Sequence, residues 1–151
     1  MTHNPINIIN QAPGMVFTYR LFPDGNSCFP YSSAAIKDFF GISPEDVLTD
    51  ASPVFKAIHP DDLDGVKTSI MESAQAMSEW NYECRAITPK GEQWLLGCSR
   101  PQLEDDGCIL WSGLMTNISS RKKIEEELLK TTRLYNVTSQ INEVVIRLND
   151  Q

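Results

Sequence analysis

Residues 79–116 read EWNYECRAITPKGEQWLLGCSRPQLEDDGCILWSGLMT. From Glu79 to Thr88 the chain alternates. Trp80, Tyr82, Cys84 and Ala86 share one parity, Glu83 and Arg85 the other, which is the period of a half-buried strand. Pro89-Lys90-Gly91 turns the chain into a longer strand, Gln93 to Leu103. Asp105-Asp106-Gly107 turns it again, Asp-Gly being a two-residue hairpin signal, and Ile109 to Thr116 follows as a third strand. Both turns permit antiparallel pairing, so the stretch predicts a three-strand meander. Its inward face stays open, because Leu95 and Leu96, and Leu110 and Trp111, are apolar on both parities. An apolar outer face would itself need cover, from a second copy or from an N-terminal helix carrying Ile6 and Ile9.

Upstream, Asn4-Pro5 is a helix start and Ala12-Pro13-Gly14 a stop. Met15 to Leu21 is rich in strand formers, and Pro23-Asp24-Gly25-Asn26 is a turn before a second short strand, Ser27 to Tyr31. Two strands about a tight turn predict a hairpin. Short helices follow. Ser32 or Ser33 is placed to cap one that carries Ile36, Phe39 and Phe40 and ends at Gly41. Ser43-Pro44 and Ser52-Pro53 start others. His59-Pro60-Asp61-Asp62 opens the longest, with Leu63, Val66, Ile70, Ala74 and Met77 on one face. Strands segregated from helices predict an α+β fold, a five-stranded antiparallel sheet with short helices on one face.

From Ile118 to Gln151 there is neither Gly nor Pro, and one long helix is predicted. Leu134, Val137, Ile141, Val144 and Leu148 step by three and four, an a/d seam. Ile124 and Leu128 begin a similar seam, and the three-plus-three interval Leu128–Thr131–Leu134 marks a stammer. About 30 residues make about 45 Å of helix, too long to bury its stripe on a domain of this size. A homodimer is the expected place for it. The division expected is therefore 1–117 and 118–151.

Taken in order, the hairpin, the helix ending Phe39-Phe40-Gly41, His59-Pro60-Asp61-Asp62, Tyr82-Glu83-Cys84-Arg85, Glu92-Gln93-Trp94, Gly113 and Asn117-Ile118-Ser119-Ser120-Arg121-Lys122 resemble a PAS domain over roughly residues 6–123. The last run is similar to that family's exit motif, usually Asp-Ile-Thr-Glu-Arg-Lys, with Asn117 for Asp, Ser119 for Thr and Ser120 for Glu. In the family the Asp pairs with a basic core residue; Asn117 carries no charge. The resemblance implies a ligand pocket between sheet and helices, with Phe17, Tyr19, Phe39, Phe55, Ile58, Val66, Ile70, Tyr82 and Trp111 as candidate lining. It implies signal coupling through Asn117, Ile118, Ser119 and Arg121. Arg133 to Asn142 also resembles the lead-in to a GAF domain of bacterial multi-domain sensors, so a piece of a longer signalling chain is expected.

The charge balance, 13 Lys+Arg against 20 Asp+Glu, argues against nucleic-acid binding, which depends on neutralising phosphates. No apolar run approaches the ~20 residues of a membrane helix, and the N-terminus lacks signal-peptide character. Cys28, Cys84, Cys98 and Cys108 show no Cys-x-x-Cys spacing, so buried or half-buried free thiols in a reducing cytoplasm are expected rather than a metal site. No phosphate loop is present. Residues 118–151 hold no His for a kinase phosphoacceptor, and no Gly-Gly-acidic-acidic cyclase loop occurs. His59 reads as a helix-entry hydrogen bonder, and Asp61 and Asp62 as acids offsetting the helix dipole. Catalysis is not expected in this segment. For a PAS-like chain, a photoactive flavin would need a helical reactive Cys and haem an axial His on the long helix; the cofactor stays unassigned. The reading is a non-catalytic sensory module of a sensor kinase or cyclic-dinucleotide enzyme, dimerising through its last helix and relaying to a downstream output domain. The alternative is a ligand-free dimerisation spacer.

Overall fold

The computed structural model describes residues 13–149; the helix expected over Ile6 and Ile9 lies outside them. Two compact units divide at Ile118/Ser119. The first contains β1 (Met15–Leu21), β2 (Ser27–Ser32), α1 (Ile36–Phe40), a 3-10 turn (Pro44–Val47), α2 (Ser52–Ala57), α3 (Pro60–Ala76), β3 (Trp80–Thr88), β4 (Gly91–Leu103) and β5 (Ile109–Asn117). The strands form one sheet in the order β2-β1-β5-β4-β3, every pair antiparallel. The expected hairpin and meander are both there. β5, last in sequence, lies between β1 and β4, and this joins them into the α+β fold.

Burial settles the open parity. Met15, Phe17 and Tyr19 of β1, Leu95 of β4, and Trp111 and Met115 of β5 are buried with Trp80, Cys84 and Ala86 of β3. Leu96 and Leu110 point the other way and are half-buried.

The hairpin loops have the same chemistry twice. Phe22 N–H donates to Asn26 O (2.8 Å) and Gly25 N–H to Phe22 O (3.0 Å); Glu104 N–H donates to Cys108 O (2.8 Å) and Gly107 N–H to Glu104 O (3.0 Å). Gly25 and Gly107 take φ +91° and +85°, open to glycine without strain. Asp24 Oδ1 accepts from Asn26 N (2.9 Å) and Asp106 Oδ1 from Cys108 N (3.0 Å). Each is a three-residue loop with a left-handed glycine, so the two-residue turn expected at Asp106-Gly107 is corrected.

Other local expectations change for equally local reasons. β2 carries a bulge: Thr18 pairs with Tyr31 but Arg20 with Cys28. Phe29 and Pro30 therefore oppose one β1 residue, and Pro30 on this edge strand has no N–H to lose. Ser33 does not cap α1. Its Oγ accepts from Val16 N (3.1 Å) and its N–H donates to Val16 O (2.8 Å), tying the loop to β1. Met77 leaves the α3 face, because it is the left-handed cap (φ 49°) whose N–H donates to Ser73 O. Cys98 is exposed, unlike the three buried cysteines.

The second unit is one helix, α4 (Ser119–Asn149). Arg121–Glu125 and Glu126–Lys130 pair at i,i+4, and no α4 residue is buried. Among the described residues no helix is long and apolar enough to cross a membrane.

Candidate functional site

Small residues shape the middle of the sheet. Gly97, Ser99 and Gly113 share the inward parity of Leu95 and Trp111. A Cβ at Gly97 would collide with the Trp80 ring, and one at Gly113 with Cys98 O and, at 2.5 Å, with Ser99 Cβ. Large rings surround this low centre. Tyr19 contacts Phe29, Trp111 and Phe55 with centroids 5.1, 5.6 and 6.1 Å apart. Val54 and Phe55 of α2, Ile58, and Val66 and Ile70 of α3 form the roof.

The cavity left between them has a free volume of about 40 Å³. A water needs ~10–15 Å³ on this measure, a dry benzene site ~150 Å³, and an ordinary ligand pocket ~300–1,000 Å³. The side chains nearly fill the core.

Of the candidate lining residues, Phe17, Tyr19, Phe55, Ile58, Val66, Ile70 and Trp111 surround this cavity. Phe39 and Tyr82 do not; both are half-buried against the same core. Tyr82 stacks on Trp80 (6.3 Å, 14°) and sets its hydroxyl over Gly65. Phe29, Phe40, Val54, Trp80, Cys84, Ser99 and Met115 also line the cavity and were missed; for Trp80 and Cys84 the parity of β3 was the available signal.

The polar atoms of the floor are mostly paired. Trp80 Nε1 donates to Ser69 Oγ (2.7 Å), which donates to Val66 O (2.7 Å). Trp111 Nε1 donates to Ser73 Oγ (3.0 Å), which donates to Ser78 O (2.6 Å). Two indoles thus fix α3 to the sheet. Burial raises the Tyr19 phenol above its ordinary pKa, partly opposed by a hydrogen bond with Ser27. Ser99 Oγ is buried with no hydrogen-bond partner.

The donor set does not fit the family's larger cofactors. Cys84 is the lining cysteine, and burial, with the Asp62 charge second, pushes its thiol up to about 12, far from thiolate reactivity at neutral pH. His59 sits off the cavity, its Nδ1 accepting from Asp61 N at 3.1 Å, as the helix-entry reading expects. Among the described residues no group of three His, Cys, Asp or Glu could hold a metal.

Asp62 does more than offset a dipole. Its carboxylate accepts from Arg85 N (2.7 Å), Nε (3.0 Å) and Nη2 (2.7 Å), clamping the start of α3 to β3. These bonds hold Asp62 below the usual carboxylate pKa. The guanidinium lies over Trp94, 5.6 Å from the ring centroid. Trp94 O in turn accepts from Ile118 N (2.8 Å), and Ile118 is buried. Beside it Asn117 Nδ2 donates to Gln93 Oε1 (3.1 Å). Asn117 and Ile118 thus leave the sheet through β4, while Ser119 and Arg121 begin α4. Leu134, Val137, Ile141, Val144 and Leu148 all lie in α4, exposed.

A family model described as the PAS fold matches residues 29–115, more than half of the chain. Solved structures share the architecture at low identity. A sensory box histidine kinase/response regulator from Burkholderia thailandensis is 17% identical, with TM-score 0.63, covering 88% of this chain and 98% of that one. The domain of a light and redox sensing histidine kinase from Haloarcula marismortui, itself named as putative, is 20% identical, with TM-score 0.58 and coverages of 75% and 97%. The N-terminal domain of a diguanylate cyclase with PAS/PAC sensor from Marinobacter aquaeolei is 16% identical, with TM-score 0.57 and coverages of 71% and 98%. A search of curated protein sequences found no match. The fold, the family model and the ordered motifs agree: this chain belongs to the PAS-fold family.

Proposed function

We propose that this chain is a non-catalytic sensory module of a multi-domain signalling protein, with its PAS core biasing the last helix and that helix passing the change to an output domain. The observation that carries the reading is the join between core and helix. β5 ends at Asn117, Ile118 is held to Trp94 O, and a 31-residue helix begins at the next residue. A two-state change of helix register or crossing is the mechanism, with Asn117, Ile118, Ser119 and Arg121 as the junction. Homodimerisation through Leu134, Val137, Ile141, Val144 and Leu148 gives the stripe its partner. Structural relatives from a histidine kinase and a diguanylate cyclase support these two classes of parent protein. Four free cysteines suit a reducing cytoplasm.

One observation favours a second reading, a ligand-free dimerising spacer: the core is nearly full. Both readings need the dimer. Sedimentation of the purified chain should show a dimer that Ile141→Lys dissociates; an unchanged dimer in that variant would refute the seam.

A further inference from the structure

We infer that the groove between the end of α3 and the two hairpin loops binds a small organic cation, a single ring or short chain carrying one ammonium group. The site lies apart from the core cavity, and neither the dimer nor the helix relay enters into it. Leu21, at the end of β1, and Ile109, at the start of β5, form its floor and are partly buried. Met71 and Ala74 of α3 make one wall, Phe22, Pro23 and Gly107 the other. The loop wall is preformed. Pro23 Cγ lies 3.6 Å from the point that a Cβ on Gly107 would occupy, and Asp24 and Asp106 each brace their own loop. The free volume is about 330 Å³, against about 40 Å³ in the core. That is the lower end of the ~300–1,000 Å³ of ligand pockets, room for a ring or a short chain.

The lining sets the body of the ligand and the surroundings set its charge. Among the described residues that line the groove, Gln75 carries the one polar side chain and none is charged, so the body is apolar. Just behind the lining stand four carboxylates: Asp24 between Pro23 and Gly25, Glu72 after Met71, and Asp105 and Asp106 before Gly107. None of the four has an ion pair among the described residues. Arg20 of β1 is bonded to Glu104 (2.9 Å), and its field also reaches Asp106. Lys67 of α3 lies over the Phe55 ring, 6.0 Å from its centroid. Consecutive Cα atoms are about 3.8 Å apart, so each carboxylate stands within about a Debye length of the groove, ~8–10 Å at 0.1–0.15 M salt, whichever way it turns. A negative potential over an apolar groove favours a cation and disfavours an anion of the same shape. The ammonium stays at the open rim and keeps its water while the body is buried.

The test titrates the whole chain with tryptamine and with indole-3-acetate, which share a ring and differ in charge, and reads the methyl shifts of Leu21, Met71 and Ile109. Tryptamine should bind with a Kd of about 1 mM, and indole-3-acetate about tenfold more weakly or worse. Raising salt from about 0.02 M to about 0.5 M should weaken tryptamine several-fold. Glu72→Gln with Asp105→Asn should cut the preference for the cation by about threefold. Met71 is 49% exposed, so Met71→Lys should fold with an unchanged Tm and lose tryptamine. Equal affinity for the two indoles, shifts at the core methyls of Ile58 and Ile70 instead, or no shift with tryptamine would each overturn the inference. Groove shifts that appear without ligand, on concentrating the protein or on removing residues 1–12, would put a second copy or the chain's own start in the groove and overturn it equally.

Discussion

Replacing Asp62 with Asn should destabilise the core by about 2 kcal/mol at neutral pH. Arg85 gives three hydrogen bonds to one carboxylate, and hydrogen bonds to a charged group contribute about 1.5–3 kcal/mol net. Asn keeps one acceptor oxygen and loses the charge. The side chains are 17% and 26% exposed, so water weakens the pair without cancelling it. Acid at the first turn of α3 adds a smaller dipole contribution. For a core of this size, about 2 kcal/mol lowers Tm by about 8 °C. The pH dependence follows from the direction of the shift. The folded carboxyl titrates below its ordinary value of 3.8. Its stabilisation is therefore complete above the unfolded value and disappears as pH falls through the lower folded one. Urea unfolding of both proteins from pH 7 to pH 3 is the assay. The wild type should lose more stability than the variant below about pH 4, so the gap between the two curves should narrow. Equal stability at pH 7 within about 0.5 kcal/mol, with superimposed pH profiles, would refute the clamp.

Gly113→Ala should cost more than about 3 kcal/mol by overpacking, because the added methyl has Cys98 O and Ser99 Cβ in its place; thermal unfolding checks this, and a Tm within a few degrees of wild type would contradict the account of the floor. Iodoacetamide at pH 8 should label Cys98 rapidly, leaving buried Cys28, Cys84 and Cys108 untouched until denaturant is added. Mass spectrometry reads the labelled sites, and early labelling of Cys84 would contradict a thiol pushed up to about 12.

Much of the fold could be read from local pattern. Trp80, Cys84 and Ala86 alternate with polar neighbours, so β3 showed its inner face; β4 and β5 did not, because Leu95–Leu96 and Leu110–Trp111 are apolar on both sides. That choice depends on which strands lie across the sheet, a long-range fact. The loops were placed correctly, and the one at Asp106-Gly107 was sized wrongly. Asp-Gly marks a left-handed glycine, but loop length depends on whether Asp24 and Asp106 cap the main chain two residues on. In the site, bulk and aromaticity named seven of the fourteen residues that surround the cavity, while Phe39 and Tyr82 lie off it. Among the determinants missed, Gly97 and Ser99 make the hollow, and Asp62 has its partner Arg85 23 residues away.

The serines under the two indoles have a consequence for how the core tolerates change. Ser69 and Ser73 each accept from a tryptophan and donate to a main-chain carbonyl, so each is a relay with both terminals occupied. Deleting either hydroxyl would strand an indole nitrogen and take a donor from a main-chain carbonyl, Val66 O within α3 or Ser78 O just past its end, at once. Four tethered atoms therefore depend on two of the smallest side chains in the domain, at positions that no measure of bulk or hydrophobicity would single out.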